Sequence, residues 1–315
     1  MEDRAADGSA TVTPIRRRAV GFGFLLVRRA MVVFLIGAIV GTGVTPGGRA
    51  AETVPPVLEP LVDGAFPALP GGPLFLGLAR VVVPPGISTD DVGTPGPRLL
   101  VIESGEATVA TAGPAEVAWV AGQRRQALAL GAEVTLGPGD RIALGAGAAR
   151  SLRNDGAKPA VLLDAALFPT RDIVPAFTTP DGISFRLLAG AIADAVPAGP
   201  VAISLTRIHL LEGAALPADP QPGPTVAYVE AGSLAVTPTA GAVQTARAAA
   251  ATPFSSGGPL RAAPLGAEIT LAAGGTAFLA TGAVVTADNP RGVPAALLVL
   301  AVVPAADPAT SASGS

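Results

Sequence analysis

The chain of 315 residues is half hydrophobic, 4% aromatic and 14% charged, with a formal net charge of −3. It has no Cys, one His (His209) and one Lys (Lys158), which excludes disulfides, thiolate nucleophiles, Fe–S clusters and Cys or multi-His metal centres. Gly (39) and Pro (32) are abundant, yet the apolar fraction is far above that of disordered chains; short Val/Leu/Ile runs between Gly/Pro turns predict an all-β protein.

The N-terminus reads as an address. Residues 1–18 are polar and end in Arg16, Arg17 and Arg18; Arg28 and Arg29 follow, then residues 30–44 run for 15 positions without a charge. A basic segment, an apolar run and the small residues Gly48 and Ala50 make a signal peptide with cleavage after Ala50. The alternative is an uncleaved membrane anchor over residues 20–44, but Arg28 and Arg29 would then lie inside the span, which is costly. The arginine pairs resemble a twin-arginine export signal. On either reading the remainder lies outside the cytoplasm. Residues 51–315 keep 14 basic and 21 acidic groups, a net of −7, which disfavours nucleic acid and anionic membrane surfaces as partners.

The body is a duplicated unit. Residues 78–109 align without gaps on 205–236 with nine of 32 positions identical, among them Arg80/Arg207, Glu103/Glu230 and Gly105/Gly232. Residues 130–169 align on 265–304 with 17 of 40 identical, starting with LGAE in both. The spacing between the blocks differs by eight residues, an insertion in the second copy. Glycines and prolines at matching places mean matching turns. Strands are predicted at 78–83, 98–103, 107–110, 133–136, 141–144 and 160–167, and again at 201–211, 226–230, 234–237, 268–271, 276–279 and 295–303. The segments 111–129 and 238–264 read as long loops or ragged hairpins. Domain bounds follow: 1–50 leader or anchor, 51–170 first barrel, 171–304 second barrel, 305–315 a disordered tail after a Pro/Gly-rich linker at 45–57.

Two stretches carry a family likeness. VVVPPGISTDDVGTPGPRLLVIESGEATV resembles the first motif of the cupin family, and LGAEVTLGPGDRIALGAGAARSLRN resembles the second. The Gly/Pro framework carries it, with Asn154 and Asn289 closing the second motif at the family's spacing from Gly147 and Gly282. The resemblance spans roughly residues 55–304. It implies two tandem jelly-roll β-barrels, a bicupin.

The likeness also implies where a metal would be held, by two His and a Glu from the first motif and a His from the second. Those places hold Val92, Thr94, Arg98 and Arg150 in the first copy and Asp219, Gln221, Thr225 and Val285 in the second. Thr, Val and Arg do not supply converging metal donors, so both barrels read as metal-free and no cofactor is expected. The oxygenase, oxidase and isomerase chemistries of metal-bearing cupins lose their support.

Arg98 and Arg150, with Thr94 beside them, are the candidate ligand-binding residues: guanidinium forks suited to a carboxylate, phosphate or sulfate. The alternative is that Arg150 sits at a barrel rim and Arg98 pairs with an acid such as Asp90 or Asp91. The second copy lacks both arginines. His209 corresponds to Val82 in the first copy, a packing position. Arg80, Arg207, Glu133 and Glu268 are shared framework, where an Arg–Glu pair between neighbouring strands is an option. Glu103 and Glu230 alternate against Leu100 and Ile102 and read as outward. Trp119, near Arg124 and Arg125, either closes a pocket or covers a barrel mouth.

No catalytic residue is assigned. The reading is an exported, metal-free, bicupin-like binding or structural module with at most one pocket for a small anionic or sugar-like ligand, and with homodimerisation through barrel edges as an option. The alternative is a metal-independent epimerase, isomerase or lyase acting on a carbohydrate or small acid. Two titratable side chains facing each other inside one barrel would favour the alternative.

Overall fold

Short apolar runs punctuated by Gly and Pro are too brief for helices, and the computed structural model forms strands from them. The structure describes residues 54–90, 95–121, 123–173, 182–248, 258–290 and 292–305. The predicted leader or anchor (1–50) and residues 306–315 of the tail lie outside the described residues. Among the described residues no helix is long and apolar enough to cross a membrane.

The first unit contributes β1 (Val57–Phe66), β2 (Leu74–Val83), β3 (Ser88–Asp90), β4 (Arg98–Ser104), β5 (Ala107–Thr111), β6 (Ala115–Trp119), β7 (Arg124–Leu128), β8 (Glu133–Leu136), β9 (Arg141–Leu144), β10 (Ala149–Arg153) and β11 (Ala160–Pro169). The second contributes β12 (Ser184–Ala193), β13 (Val201–Leu210), β14 (Ala215–Leu216), β15 (Thr225–Ala231), β16 (Ser233–Ala240), β17 (Val243–Ala246), β18 (Arg261–Ala262), β19 (Ile269–Ala272), β20 (Thr276–Leu279), β21 (Val284–Asp288) and β22 (Ala295–Pro304). Each barrel joins a seven-stranded sheet to a four-stranded one: β12-β2-β11-β4-β9-β6-β7 with β3-β10-β5-β8, and β1-β13-β22-β15-β20-β17-β18 with β14-β21-β16-β19. All pairings are antiparallel.

The leading strands are exchanged. β1 pairs with β13 of the second unit, and β12 pairs with β2 of the first. Each also reaches across the contact between the barrels, β1 against β4 and β9 and β12 against β15. Pro60 lies in β1, where the register slips between Pro60 and Val62. An edge strand tolerates it, because the missing N–H has no ladder partner to lose.

Period-2 alternation sorts each strand between two cores. In the first unit Val81, Val83, Leu100, Ile102 and Leu162 point into the barrel. Leu76, Leu78, Leu99, Val101, Leu163 and Leu167 point the other way. There they meet Ile203, Leu205, Val226, Tyr228, Leu298 and Leu300 of the second unit in one shared core. Ile208, Leu210, Val229 and Leu297 fill the second barrel. Burial on both faces is why β2 reads LFLGLARVVV rather than as an alternation.

The repeated glycines have matching causes. Gly96 and Gly223 lie against the next strand, where a Cβ would meet the carbonyl oxygens of Leu167 and Val302 at 1.7 and 1.8 Å. Asn154 and Asn289, both fully buried, tie the loops that close each barrel. The Asn154 amide donates to the carbonyls of Val83 and Lys158 at 2.8 Å each, and Asn289 donates to those of Leu210 and Val293 at 2.9 and 2.8 Å.

Candidate functional site

Arg98 opens β4 and shares the inward face with Leu100 and Ile102. Asp164 lies in β11 on the same inward face as Ala160 and Leu162. Their strands are neighbours, and the two side chains meet inside the first barrel. Arg98 Nε donates to Asp164 Oδ1 at 2.7 Å, and Arg98 Nη2 donates to Asp164 Oδ2. The side chains are only 11% and 4% exposed. Burial pulls the guanidinium pKa down, but the Asp164 charge and hydrogen bonds outweigh it and leave it raised. Arg98 is therefore a fixed cation held by a two-pronged carboxylate.

This answers part of the sequence reading and corrects part of it. Arg98 faces inward beside apolar neighbours, as its alternation predicts. Its described carboxylate partner is Asp164, 66 residues away along the chain, and the side chain of Asp90 lies outside the described residues. Asp91 and Thr94 lie outside the described residues. Arg150 falls in β10 where the register against β5 slips between Ala149 and Ser151. Asp164 was missed. Its signal was a lone acid in the apolar run AVLLDAALFP, with Val299 at the matching place in the second copy.

At the one of the four positions whose side chain is described, a guanidinium stands where a metal donor would, with its charge matched by Asp164. In the second barrel Thr225 donates to Gln221 Oε1 at 3.1 Å and to the Gly223 carbonyl at 3.3 Å. Among the described residues no three of His, Asp or Glu are grouped so as to hold a metal ion.

The shared framework charges form a cluster that the sequence did not reveal. Arg80 Nε donates to Glu103 at 2.6 Å and Arg80 Nη2 donates to Glu230 at 3.1 Å. Arg207 Nε donates to Glu230 at 2.6 Å and Arg207 Nη2 donates to Glu103 at 3.2 Å. Each arginine thus bridges its own unit's glutamate and the other's, in a pseudo-twofold quartet. Burial lowers both guanidinium pKa values, and the glutamates outweigh it and raise them. Glu103 and Glu230 do point out of their barrels, but outward here is toward the other unit. Glu133 is not in this group; it accepts from Arg153 at 3.0 and 2.9 Å. His209 is 43% exposed, with Nε2 3.6 Å from Glu59.

Residues 111–129 fold into the β6–β7 hairpin rather than a loop. Trp119 pairs with Arg124 across it, and the Arg124 guanidinium lies over the indole, 4.6 Å from the ring centroid. A cleft of about 370 Å³ opens there, lined by Ala118, Trp119, Val120, Gln123, Arg124, Arg125 and Arg141.

No protein-family model matches the chain, and no curated protein matches it. Among solved structures it is similar to AerE from Microcystis aeruginosa, at 11% identity over 71% of this chain and 87% of that one, with a TM-score of 0.38. It is similar to an oxalate decarboxylase from Lactobacillus farciminis in a formate complex, at 12% identity over 75% and 80%, TM-score 0.36. It is also similar to a cupin 2 conserved barrel domain protein from Leptotrichia buccalis, at 10% identity over 80% and 98%, TM-score 0.30. At these values nothing about activity transfers. The fold assignment rests on the chain's own strand order, its duplicated Gly/Pro/Asn framework and its two barrel cores. On those grounds this chain is a tandem two-barrel protein of cupin fold.

Proposed function

We propose that the chain is an exported, metal-free two-barrel module that acts by binding or by structure and not by catalysis. The observation that carries this reading is the Arg98–Asp164 pair, in which two ionisable side chains inside the first barrel engage each other. A guanidinium does not deprotonate in the working range of an acid–base catalyst, and a carboxylate engaged by both arms of it is not poised to take a substrate proton. In the second barrel the corresponding residues, Thr225 and Val299, carry no ionisable group. Export is supported by the basic and apolar N-terminal segments, and the acidic body fits a small-molecule ligand better than nucleic acid.

A second reading draws on the same pair. Arg98 and Asp164 are two titratable side chains facing each other inside one barrel, which is the feature that favours a metal-independent epimerase, isomerase or lyase. Where such a reaction removes a carbon-bound proton with a side-chain base, as Asp164 would serve here, solvent deuterium enters the carbon–hydrogen position. Incubation of the purified protein with sugars and sugar acids in heavy water, followed by NMR, tests both. The binding or structural reading expects no deuterium incorporation. Incorporation that Asp164→Asn abolishes would replace it with the enzyme reading.

A further inference from the structure

Strand register lays one row of barrel-facing residues across each seven-stranded sheet, and the two rows differ. In the first unit the row runs Ala79, Asp164, Leu100, Ile142 and Val117 across β2, β11, β4, β9 and β6. Every member is 3% exposed or less. In the second unit it runs Thr206, Val299, Ala227, Ala277 and Thr245 across β13, β22, β15, β20 and β17. Ala277 is buried, and the other four are partly exposed. Their neighbours Leu205, Val226, Tyr228, Leu298 and Leu300 point into the shared core, so this row faces the barrel. Val285, packed on the same core from the four-stranded sheet, is partly exposed as well.

The cause is side-chain size. Ala227 and Ala277 replace Leu100 and Ile142, and Thr225 and Val299 replace the Arg98–Asp164 pair. Further along the same face the first unit sets Phe75 against Phe168, ring centroids 5.2 Å apart, where the second has Ala202 and Val303. Ile208, Leu210, Val229 and Leu297 fill the second barrel at the end beside the charge quartet. Leu210 and Leu234, larger than their counterparts Val83 and Ala107, add bulk at that end. The other end is short of side-chain volume and open to water.

The lining sets what can enter. Thr206 and Thr245 place hydroxyls at the two ends of a row otherwise made of Ala and Val, and no residue of the row carries a charge. The Thr225 hydroxyl is already engaged by Gln221 and the Gly223 carbonyl. A charged ligand would be desolvated here without a counter-charge, and a sugar would leave most of its hydroxyls unpaired. We infer that the open half of the second barrel binds a small uncharged aliphatic molecule bearing a hydroxyl or carbonyl oxygen. Its chain lies against Ala227, Ala277 and Val299, and its oxygen meets one of the threonine hydroxyls that end the row. The inference rests on the binding reading and gives it a ligand class. The heavy-water experiment interrogates Arg98 and Asp164 in the other barrel, so the two can fail separately.

The first unit supplies the test substitution. Ala227→Leu with Ala277→Ile restores the side chains found at the same places in the first barrel. Such bulk strains a core that is already packed and is accommodated in one that is open. The intact wild type and the double variant are titrated with hexanol, hexanoate and glucose by saturation-transfer NMR, and their melting is followed by circular dichroism. Wild type is expected to bind hexanol saturably, and hexanoate and glucose roughly tenfold more weakly or not at all. The double variant is expected to bind hexanol roughly tenfold more weakly while melting within about 4 °C of wild type or above it. No saturation with hexanol, or equal affinity in the double variant, would overturn the site. A double variant that fails to fold, or melts more than about 4 °C lower, shows an interior already full and overturns it too. Hexanoate or glucose binding as tightly as hexanol overturns the uncharged aliphatic assignment.

Discussion

Removing one member of the Arg98–Asp164 pair should be far more damaging than removing both. Arg98→Met leaves Asp164 charged at a place where its side chain is 4% exposed. Loss of one partner from a buried pair costs about 3–5 kcal/mol, because the survivor is desolvated without compensation. Asp164→Leu leaves Arg98, 11% exposed on a long flexible stem, and should fall near the lower end of that range. With both replaced, the interior becomes apolar like its neighbours Leu100, Ile102 and Leu162, and the cost should fall within about 1 kcal/mol of zero. The second barrel already holds the pairless arrangement, with Thr225 and Val299 at these places.

Urea unfolding of the wild type, both single variants and the double variant measures this as a thermodynamic cycle. A domain's whole stability is about 5–15 kcal/mol, so either single variant should show an obvious shift in midpoint. The contribution of Arg98 should be flat across neutral pH. Its folded pKa is raised, so its stabilisation is complete below the ordinary arginine value and is lost only as pH rises through the higher folded one. Single variants within about 1 kcal/mol of wild type would refute the reasoning, and so would a double variant as unstable as the two singles added together.

Asn154→Ala should destabilise by about 1–3 kcal/mol in thermal or urea unfolding, since it strips the amide donor from the Val83 and Lys158 carbonyls, and Asn289→Ala should match it. Residues 51–170 expressed alone should fail to unfold cooperatively in calorimetry, because β2 would lose β12 and the shared core would face water; co-expression with residues 171–304 should restore the transition. The hydrogen bonds and charge of Arg153 hold the Glu133 carboxyl below the usual carboxylate range. Its stabilisation is therefore present above the unfolded value and lost as pH falls through the folded one, so Glu133→Gln should differ from wild type at neutral pH and converge with it in acid, by a small amount at this exposed site.

The strand order within each barrel was legible because duplication printed it twice. The starts and ends at 133–136, 141–144 and 276–279 coincide with β8, β9 and β20. The exchanged strands were not legible. β1 contains Pro60, Asp63 and Gly64, and β12 opens on Ser184 and Arg186 and is mostly Ala and Gly beyond Leu188, so neither is rich in the β-branched and aromatic residues that mark a strand. Their partners are chosen by tertiary packing, which no local pattern records. For the same reason Arg98 was recognised from its place in a motif, whereas Asp164 and the Arg80–Glu230 contact depend on which strands become neighbours.

Duplication followed by divergence explains where a function can reside. Asn154/Asn289 and the Arg80–Glu103–Arg207–Glu230 quartet recur in both units and are engaged in closing a barrel or joining the two. The quartet needs both units, since each arginine spends half its fork on the other barrel's glutamate, and the strand exchange binds them further. Two barrels tied in this way share a core and exchange a strand each, and are not two independent modules. The features found once, Arg98–Asp164 inside the first barrel and the Trp119 cleft at its edge, are not imposed by the architecture. Both belong to the first unit. The second unit also completes the first, supplying β12 as an edge strand and the opposing half of the shared core.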